Sequence, residues 1–410
     1  MADAILGLQD SSAFAEFENW RRAILLAFPN GSAPLTAILN LMKSESSDHP
    51  KINWDEKDMP LQRSTLSASY TNVATTIAVD EAVFRPGHII KNLTTTNGEV
   101  MKVESVSANG LTLTVRRSDG TGTDWPVAAE ASSGSNDTIA IIGNSNSEGS
   151  GAPKSQSYDP TEYFNYLQIF KSTADVTGTA AKTAVKWDQS GPWPEKLREA
   201  LNFISIEMEK AFIWGSKAQW TNSTTGKKER TTGGIVSFIN SANVINLATS
   251  LSSTLTYALW DTYMEQVFRK CLNNRQEKFA LCGSGFARVL NRVCQNNATM
   301  NLVPKAESFG MKIYEMTSTQ GTVYLKTHPL FSQNDIWRNH CLILDLPGLR
   351  YRYLNGRDLT RIPDVQLPDE DIKKDMFIAE CGLEVNHGGD NGGGSTGAHL
   401  LIQNATTAGT

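Results

Sequence analysis

The chain has 410 residues, with 38 Lys and Arg against 43 Asp and Glu, a formal net charge of −5. That balance excludes a dedicated nucleic-acid binder, which carries a basic excess or a concentrated basic stripe. Hydrophobic residues at 40% with 20% charged describe an ordered chain that can bury a core, and at roughly 150 residues per domain the length implies two or three folded units.

The longest apolar runs, such as residues 23–28 and 341–344, fall far short of the ~18 residues needed to cross a bilayer, so no membrane is expected as a partner. Residues 1–20 contain no Lys or Arg, which leaves a signal peptide without its charged n-region and makes cytosolic synthesis the expectation. Cys271, Cys282, Cys294, Cys341 and Cys381 never take Cys-x-x-Cys spacing and read as free buried thiols.

In chain order, Phe14, Phe17, Trp20, Ile24 and Phe28 recur near helical spacing before the breaker Pro29-Asn30-Gly31, and a second short helix is expected over 35–43. Residues 44–60 are charged and Pro-bounded, the pattern of an arm or linker. Residues 75–117 change character: apolar runs at 76–79, 84–90, 99–106 and 111–115 alternate, with Asn109-Gly110 as a hairpin turn. This is a small all-β module. Residues 143–156 read as a surface loop, and Asp159-Pro160 is expected to open a helix carrying Tyr163, Phe164, Tyr166, Leu167 and Phe170.

The clearest helix runs over 194–214, where Leu197, Leu201, Ile204, Met208 and Ala211 form one stripe and Glu195, Lys196, Glu199, Glu207 and Glu209 take the remaining surface. Further helices are expected over 256–272 and 284–294. Strands are expected within 312–327, 341–354, 377–386 and 399–403, the last two flanking a glycine-rich interruption. The class is α+β.

Chemistry finds no foothold. Cys282-Gly283-Ser284-Gly285 lacks the first glycine of a nucleophile elbow, and Ser284 reads more simply as a helix N-cap. The six histidines are scattered without paired helical spacing, which argues against a metal site. No phosphate-binding glycine loop occurs, so no cofactor, catalytic residue or enzymatic activity is expected. Tyr163-Phe164-Asn165-Tyr166 reads as core or subunit interface rather than a platform for bases.

The order of several segments resembles the major capsid proteins of tailed bacteriophages with the Hong Kong 97 fold, in a branch that carries a small β module before the spine helix. The matching residues are Asn53-Trp54-Asp55-Glu56-Lys57-Asp58-Met59-Pro60, Phe84-Arg85-Pro86-Gly87, Gly98-Glu99-Val100-Met101, Asn165-Tyr166-Leu167-Gln168-Ile169-Phe170 with Val176-Thr177-Gly178-Thr179-Ala180, Arg230-Thr231-Thr232-Gly233-Gly234-Ile235, and Glu380-Cys381-Gly382-Leu383-Glu384-Val385. The resemblance departs at residues 387–397, inserted where similar proteins pass directly to a closing strand.

It implies an N-terminal arm (1–60), an extended-loop region (61–190) containing the β module at about 70–128, a spine helix with its following turn (191–240), and peripheral and axial domains (241–410). Trp54, Asp55, Glu56, Tyr163, Phe164, Tyr166, Leu197, Leu201, Ile204, Met208, Arg230, Gly233 and Gly234 are then the structural or interface candidates. The implied function is self-assembly, through hexamers and pentamers, into the icosahedral head shell around a double-stranded DNA genome. Scaffold, portal and cement proteins would be partners, DNA would be enclosed without sequence-specific binding, and assembly would occur in the host cytoplasm. The alternatives are an encapsulin-like nanocompartment shell protein and a tail or baseplate structural protein.

Overall fold

The structure, a computed structural model, describes residues 44–57, 62–95, 98–117, 133–153, 155, 157, 159–182, 192–248, 254–269, 276–296, 303–308, 311–332, 334–386 and 397–406. The helices expected at 14–28 and 35–43, together with Asp58, Met59, Pro60, Cys271 and most of the glycine-rich insert, lie outside those residues. Two compact units form: one is Lys57–Pro160, and the other is Thr161–Thr410 with the segment ending at Glu56. Among the described residues no helix is long and apolar enough to cross a membrane.

The larger unit begins with β1 (Ser44–Ser47) and β2 (Lys51–Glu56). The smaller contains β3 (Arg63–Thr65), β4 (Thr76–Ala78), β5 (His88–Asn92), β6 (Val100–Val106), β7 (Thr112–Arg116) and β8 (Thr138–Asn144). These six pair in the order β3-β8-β5-β6-β7-β4, each pair antiparallel. Just past β3 and β4, Leu66 and Val79 form an antiparallel bridge, and Ser67 N–H donates to Ala78 O at 3.1 Å. The sheet therefore closes into a small barrel, which removes the unpaired edges that an open sheet would expose.

Inward-facing Ile77, Ile90, Met101, Val103, Leu113, Val115 and Ile139 fill the barrel with Leu66, Tyr70 and Phe84. Arg117 makes a two-pronged pair with the fully buried Glu99, both contacts at 2.7 Å, and lies over the Tyr70 ring. Such a fork satisfies both carboxylate oxygens, as a buried charge requires. Gly110 adopts φ +76° in the turn between β6 and β7, a left-handed conformation that favours glycine. Residues 84–87, expected as part of a strand, form a loop before β5. The barrel also takes in β3 and β8, which lie outside the 70–128 expected from sequence.

The larger unit continues with β9 (Thr161–Tyr166), β10 (Gln168–Thr177), α1 (Gly178–Lys182), α2 (Trp193–Trp214), β11 (Ala218–Thr221), β12 (Lys228–Thr231), α3 (Ile235–Phe238) and β13 (Val244–Asn246). Next come α4 (Tyr257–Phe268), β14 (Glu277–Cys282), α5 (Ser284–Asn296), β15 (Val303–Ser308), β16 (Met311–Thr317), β17 (Thr322–Thr327) and α6 (Pro329–Ser332). It ends with β18 (Cys341–Leu344), β19 (Leu349–Leu354), β20 (Thr360–Ile362), β21 (Ile372–Val385) and β22 (Leu400–Gln403).

Where the sequence suggests a helix over 159–170 there are two strands. Tyr163, Asn165 and Leu167 take alternate inward positions, a period of two that the dense aromatics obscure. The segment 44–56, expected as an arm, pairs within this unit: β1 runs parallel to β19 and β2 antiparallel to β9, and Ile52 and Trp54 join the main core.

Helix α2 matches its expected position. Pro194 occupies the first turn, Glu195 complements the N-terminal dipole, and Leu197, Leu201, Ile204 and Met208 are buried, with α2 packed on β10 and β21. Glu209, expected on the surface, is fully buried. Its Oε1 lies 2.7 Å from Nε2 of the equally buried His328. Leu330 N–H donates to His328 Nδ1 at 3.1 Å, so Nε2 carries the proton that faces Glu209.

The second sheet of this unit has seven strands, ordered β13-β22-β18-β14-β17-β16-β15. Along β14, Phe279 and Leu281 face the core shared with α2, while Ala280 and Cys282 face a second core under α4 and α5. Burial on both faces explains why residues 341–344 are apolar without alternation.

Leu201→Ala in α2 should cost about 2–5 kcal/mol by cavity formation, and Leu201→Asp should prevent folding because it buries an unpaired carboxylate. Glu199 pairs with Lys196 in solvent, so Glu199→Gln should leave the unfolding midpoint nearly unchanged. Thermal unfolding and sedimentation of the three variants check this; a normally folded Leu201→Asp protein would contradict the assigned buried face.

Candidate assembly surfaces

Strands β2 and β9 are in register from Lys51 opposite Tyr166 to Glu56 opposite Thr161. Alternation sends Ile52, Trp54 and Glu56 inward and Lys51, Asn53 and Asp55 outward. Trp54 stacks on Tyr163 with centroids 6.1 Å apart, lies 5.8 Å from Phe238, and donates its indole N–H to Glu56 Oε1 at 3.0 Å. On the outer side Phe164 packs edge-on to Tyr166, with Lys51 Nζ at 4.4 Å and Lys217 Nζ at 4.2 Å from its ring centroid. Asp55 is exposed opposite Glu162. Trp54 and Tyr163 are thus core, whereas Phe164 and Tyr166 present a cation-flanked aromatic surface.

Asn165, quoted in the sequence motif but given no role there, holds this corner together. It is fully buried; its Nδ2 donates to Leu383 O at 2.7 Å and to Gly233 O at 3.0 Å, and its Oδ1 accepts from Gly233 N–H at 2.7 Å and Tyr166 N–H at 2.8 Å. One amide side chain thereby joins β9, β21 and the turn at 232–234. The turn lies against the end of α2, where Gly234 N–H donates to Gly215 O at 2.8 Å. A Cβ on Gly234 would stand 2.6 Å from Gly215 N and 2.7 Å from Ala211 O, which is why two glycines meet there. The Gly-Gly turn is readable in sequence, but its partner amide 68 residues away is not.

Between α2 and this turn, β11 and β12 form a two-stranded hairpin paired from Ala218–Thr231 to Thr221–Lys228. Arg230 donates to Gln219 Oε1 at 3.0 Å and Trp220 donates to Glu229 Oε2 at 2.7 Å, while Trp220 remains 46% exposed. A lone two-stranded ribbon is only marginally stable in water.

The five-stranded sheet carries charge on the face away from α2. Arg352 bridges Glu45 and Glu384, each at 2.5 Å, and Arg357 Nε meets Glu380 Oε2 at 2.9 Å. These cross-strand pairs tie β1, β19 and β21 together and compensate the nearly buried carboxylates of Glu380 and Glu384. Sequence reasoning missed them because they depend on register.

These elements supply hydrogen-bonding and apolar surface rather than a reaction centre. Among the described residues no group of three or more metal-ligating side chains converges. A family model for the SU10 major capsid protein matches residues 7–393. The chain belongs to that family. It is a bacteriophage major capsid protein, and its family role is structural. This capsid chain is 27% identical over 339 residues to a major capsid protein of Pseudomonas phage PaMx41, covering 82% of the chain and 78% of that relative. Among solved structures, a chain from Mycobacterium phage Adephagia aligns with TM-score 0.43 and 8% identity over 91% of each chain. The holo-SrpI encapsulin complex of Synechococcus elongatus PCC 7942 aligns with TM-score 0.43 and 14% identity, over 62% of this chain and 79% of that one.

Asn165→Leu in the capsid chain strands several buried backbone groups at about 1–3 kcal/mol each, and should lower the unfolding midpoint sharply. Gln219→Ala in the exposed hairpin should not. Differential scanning calorimetry separates the two, and an unshifted Asn165→Leu midpoint would refute the hub.

Cys282 and Cys341 stand opposite each other on β14 and β18 as free thiols, and Cys294 and Cys381 are also free and buried. Burial pushes the Cys282 thiol up to about 12, and pushes Cys341 and Cys381 up as well. At pH 8 these four thiols are neutral and unreactive. Ellman titration should find these four only after denaturation; rapid native labelling of Cys282 would overturn this.

Proposed function

We propose that this capsid chain builds the icosahedral head shell of a tailed bacteriophage, as hexamers and pentamers of Hong Kong 97-type subunits around double-stranded DNA. The family match across residues 7–393 carries the reading. In it α2 is the spine helix, the barrel belongs to the extended-loop region, and the residues after 241 supply peripheral and axial domains. Apolar groups left in solvent support lateral association: Phe203 on α2 is 61% exposed, Ile336 69% and Leu367 60%. The aromatic pair Phe164 and Tyr166, Arg230 on its hairpin, and Asp55 are the contact candidates; Trp54, Glu56, the α2 stripe, Gly233 and Gly234 shape the surfaces from beneath.

The net charge of −5 fits a shell that encloses DNA without gripping it, since tight phosphate binding needs clustered cations. Scaffold, portal and cement proteins are the further partners in this reading, assembly takes place in the host cytoplasm, and no step is catalytic. Electron microscopy of virions containing the chain tests it: density for the chain should repeat across the head lattice. Finding it in the tail or baseplate would refute the proposal.

A further inference from the structure

The two ends of α2 carry surfaces of opposite charge. Past its C-terminal end, the β11–β12 ribbon and its flank hold Lys217, Lys227, Lys228 and Arg230 against one carboxylate, Glu229. Glu229 is occupied by the Trp220 indole N–H at 2.7 Å and by the Asn222 amide. Lys227 and Lys228 are exposed and make no ion pair among the described residues. Trp220 projects from the same ribbon with nearly half its surface in solvent. The result is a basic surface with an apolar anchor.

The loop between β20 and β21 is its converse. From 362 to 372 the chain has Asp364, Asp369, Glu370 and Asp371 and no Lys or Arg. All four carboxylates are exposed and none makes an ion pair among the described residues, while Ile362, Val365 and Leu367 stand exposed between them. The flanking cations are engaged within the subunit. Arg361 pairs with Asp375, Lys373 lies 4.7 Å from the centroid of the Trp193 ring, and Lys374 stands opposite Asp175 on β10. The loop is also held in shape: Val365 N–H donates to Lys374 O at 2.8 Å, Lys374 N–H to Gln366 Oε1 at 3.1 Å, and Gly178 N–H to Asp371 O at 3.0 Å. A surface ordered in advance loses little entropy when something docks on it.

These two surfaces cannot meet within one copy. The β10–β21 ladder runs from Thr177 opposite Ile372, beside the acidic loop, to Gln168 opposite Cys381, a length of about 30 Å. At the far end Thr232 N–H, just past the ribbon, donates to Gln168 Oε1 at 3.1 Å. Helix α2 spans the same interval, about 33 Å from Trp193 beneath Lys373 to the glycine before the ribbon. Complementary patches fixed at opposite ends of one rigid unit are satisfied by a second copy.

We propose, building on the shell reading above, that the β11–β12 ribbon of one subunit docks on the 362–371 loop of the next. Lys227 and Lys228 face Asp369 and Glu370, and Trp220 enters the apolar surface of Val365 and Leu367. The contact joins two different patches, so it is heterologous and passes from subunit to subunit around a ring. It also gives the two-stranded ribbon the cover that it lacks alone.

Sedimentation velocity of the full chain over a range of protein concentrations tests the contact. Lys227→Glu with Lys228→Glu, and separately Asp369→Lys with Glu370→Lys, should each weaken self-association about tenfold or more. Both should leave the unfolding midpoint unchanged, because these side chains are exposed and unpaired. Leu367→Ser should weaken association in the same way. The chain carrying all four charge reversals should regain the association of the unsubstituted protein, as should an equimolar mixture of the two doubly reversed chains. Unchanged association in both doubly reversed chains, no restoration by the fourfold reversal, or an unsubstituted chain that stays monomeric would overturn the contact. Loss without restoration would assign these charges to a different partner. The shell reading stands or falls separately, on whether the chain repeats across the head lattice.

Discussion

Most of the stability of a 22-residue helix comes from burying one face, and in this capsid protein β10 and β21 provide the cover. The demand propagates outward. To run beneath the helix, β21 extends over 14 residues, longer than an average strand, and pairs along Ile372 to Cys381 with β10. Its other edge is shared by β20 and β19, and β19 in turn holds β1. Asn165 then fixes the β9–β10 corner to β21 and to the turn closing the helix. Much of the larger unit is organised by this one buried stripe.

That stripe was legible because its signal is local: Leu197, Leu201, Ile204 and Met208 repeat within one element. The same kind of reasoning failed at 159–170, where Tyr163, Phe164, Tyr166, Leu167 and Phe170 satisfy a helical pattern and a strand pattern at once, and only pairing with β2 decides between them. Glu209 failed for a related reason. Nothing on α2 announces that His328, 119 residues away, will meet it. The segment 44–56 looked too polar for a core, yet Ile52 and Trp54 alternate inward once β9 supplies a partner. Barrel closure was equally hidden, since it depends on Leu66 meeting Val79 and on β3, three residues too short to show a period.

Both units neutralise the carboxylates they bury. On the five-stranded sheet each nearly buried carboxylate at Glu380 and Glu384 faces an arginine across the strands, an arrangement whose benefit is largely cancellation of desolvation. The barrel does the same with Glu99 and Arg117.

Strand edges distinguish the two units. Among the described residues, pairing leaves β1 and β10 at the limits of one sheet and β13 and β15 at the limits of the other, and the β11–β12 ribbon has two strands. Open edges and ribbons can accept strands or side chains from neighbouring copies, which suits a protein whose stability is completed by association. The barrel has closed its ladder and filled its interior, so strand addition is denied to it and its stability rests on its own core. A unit stabilised in that way can vary its outer surface without loosening its own core.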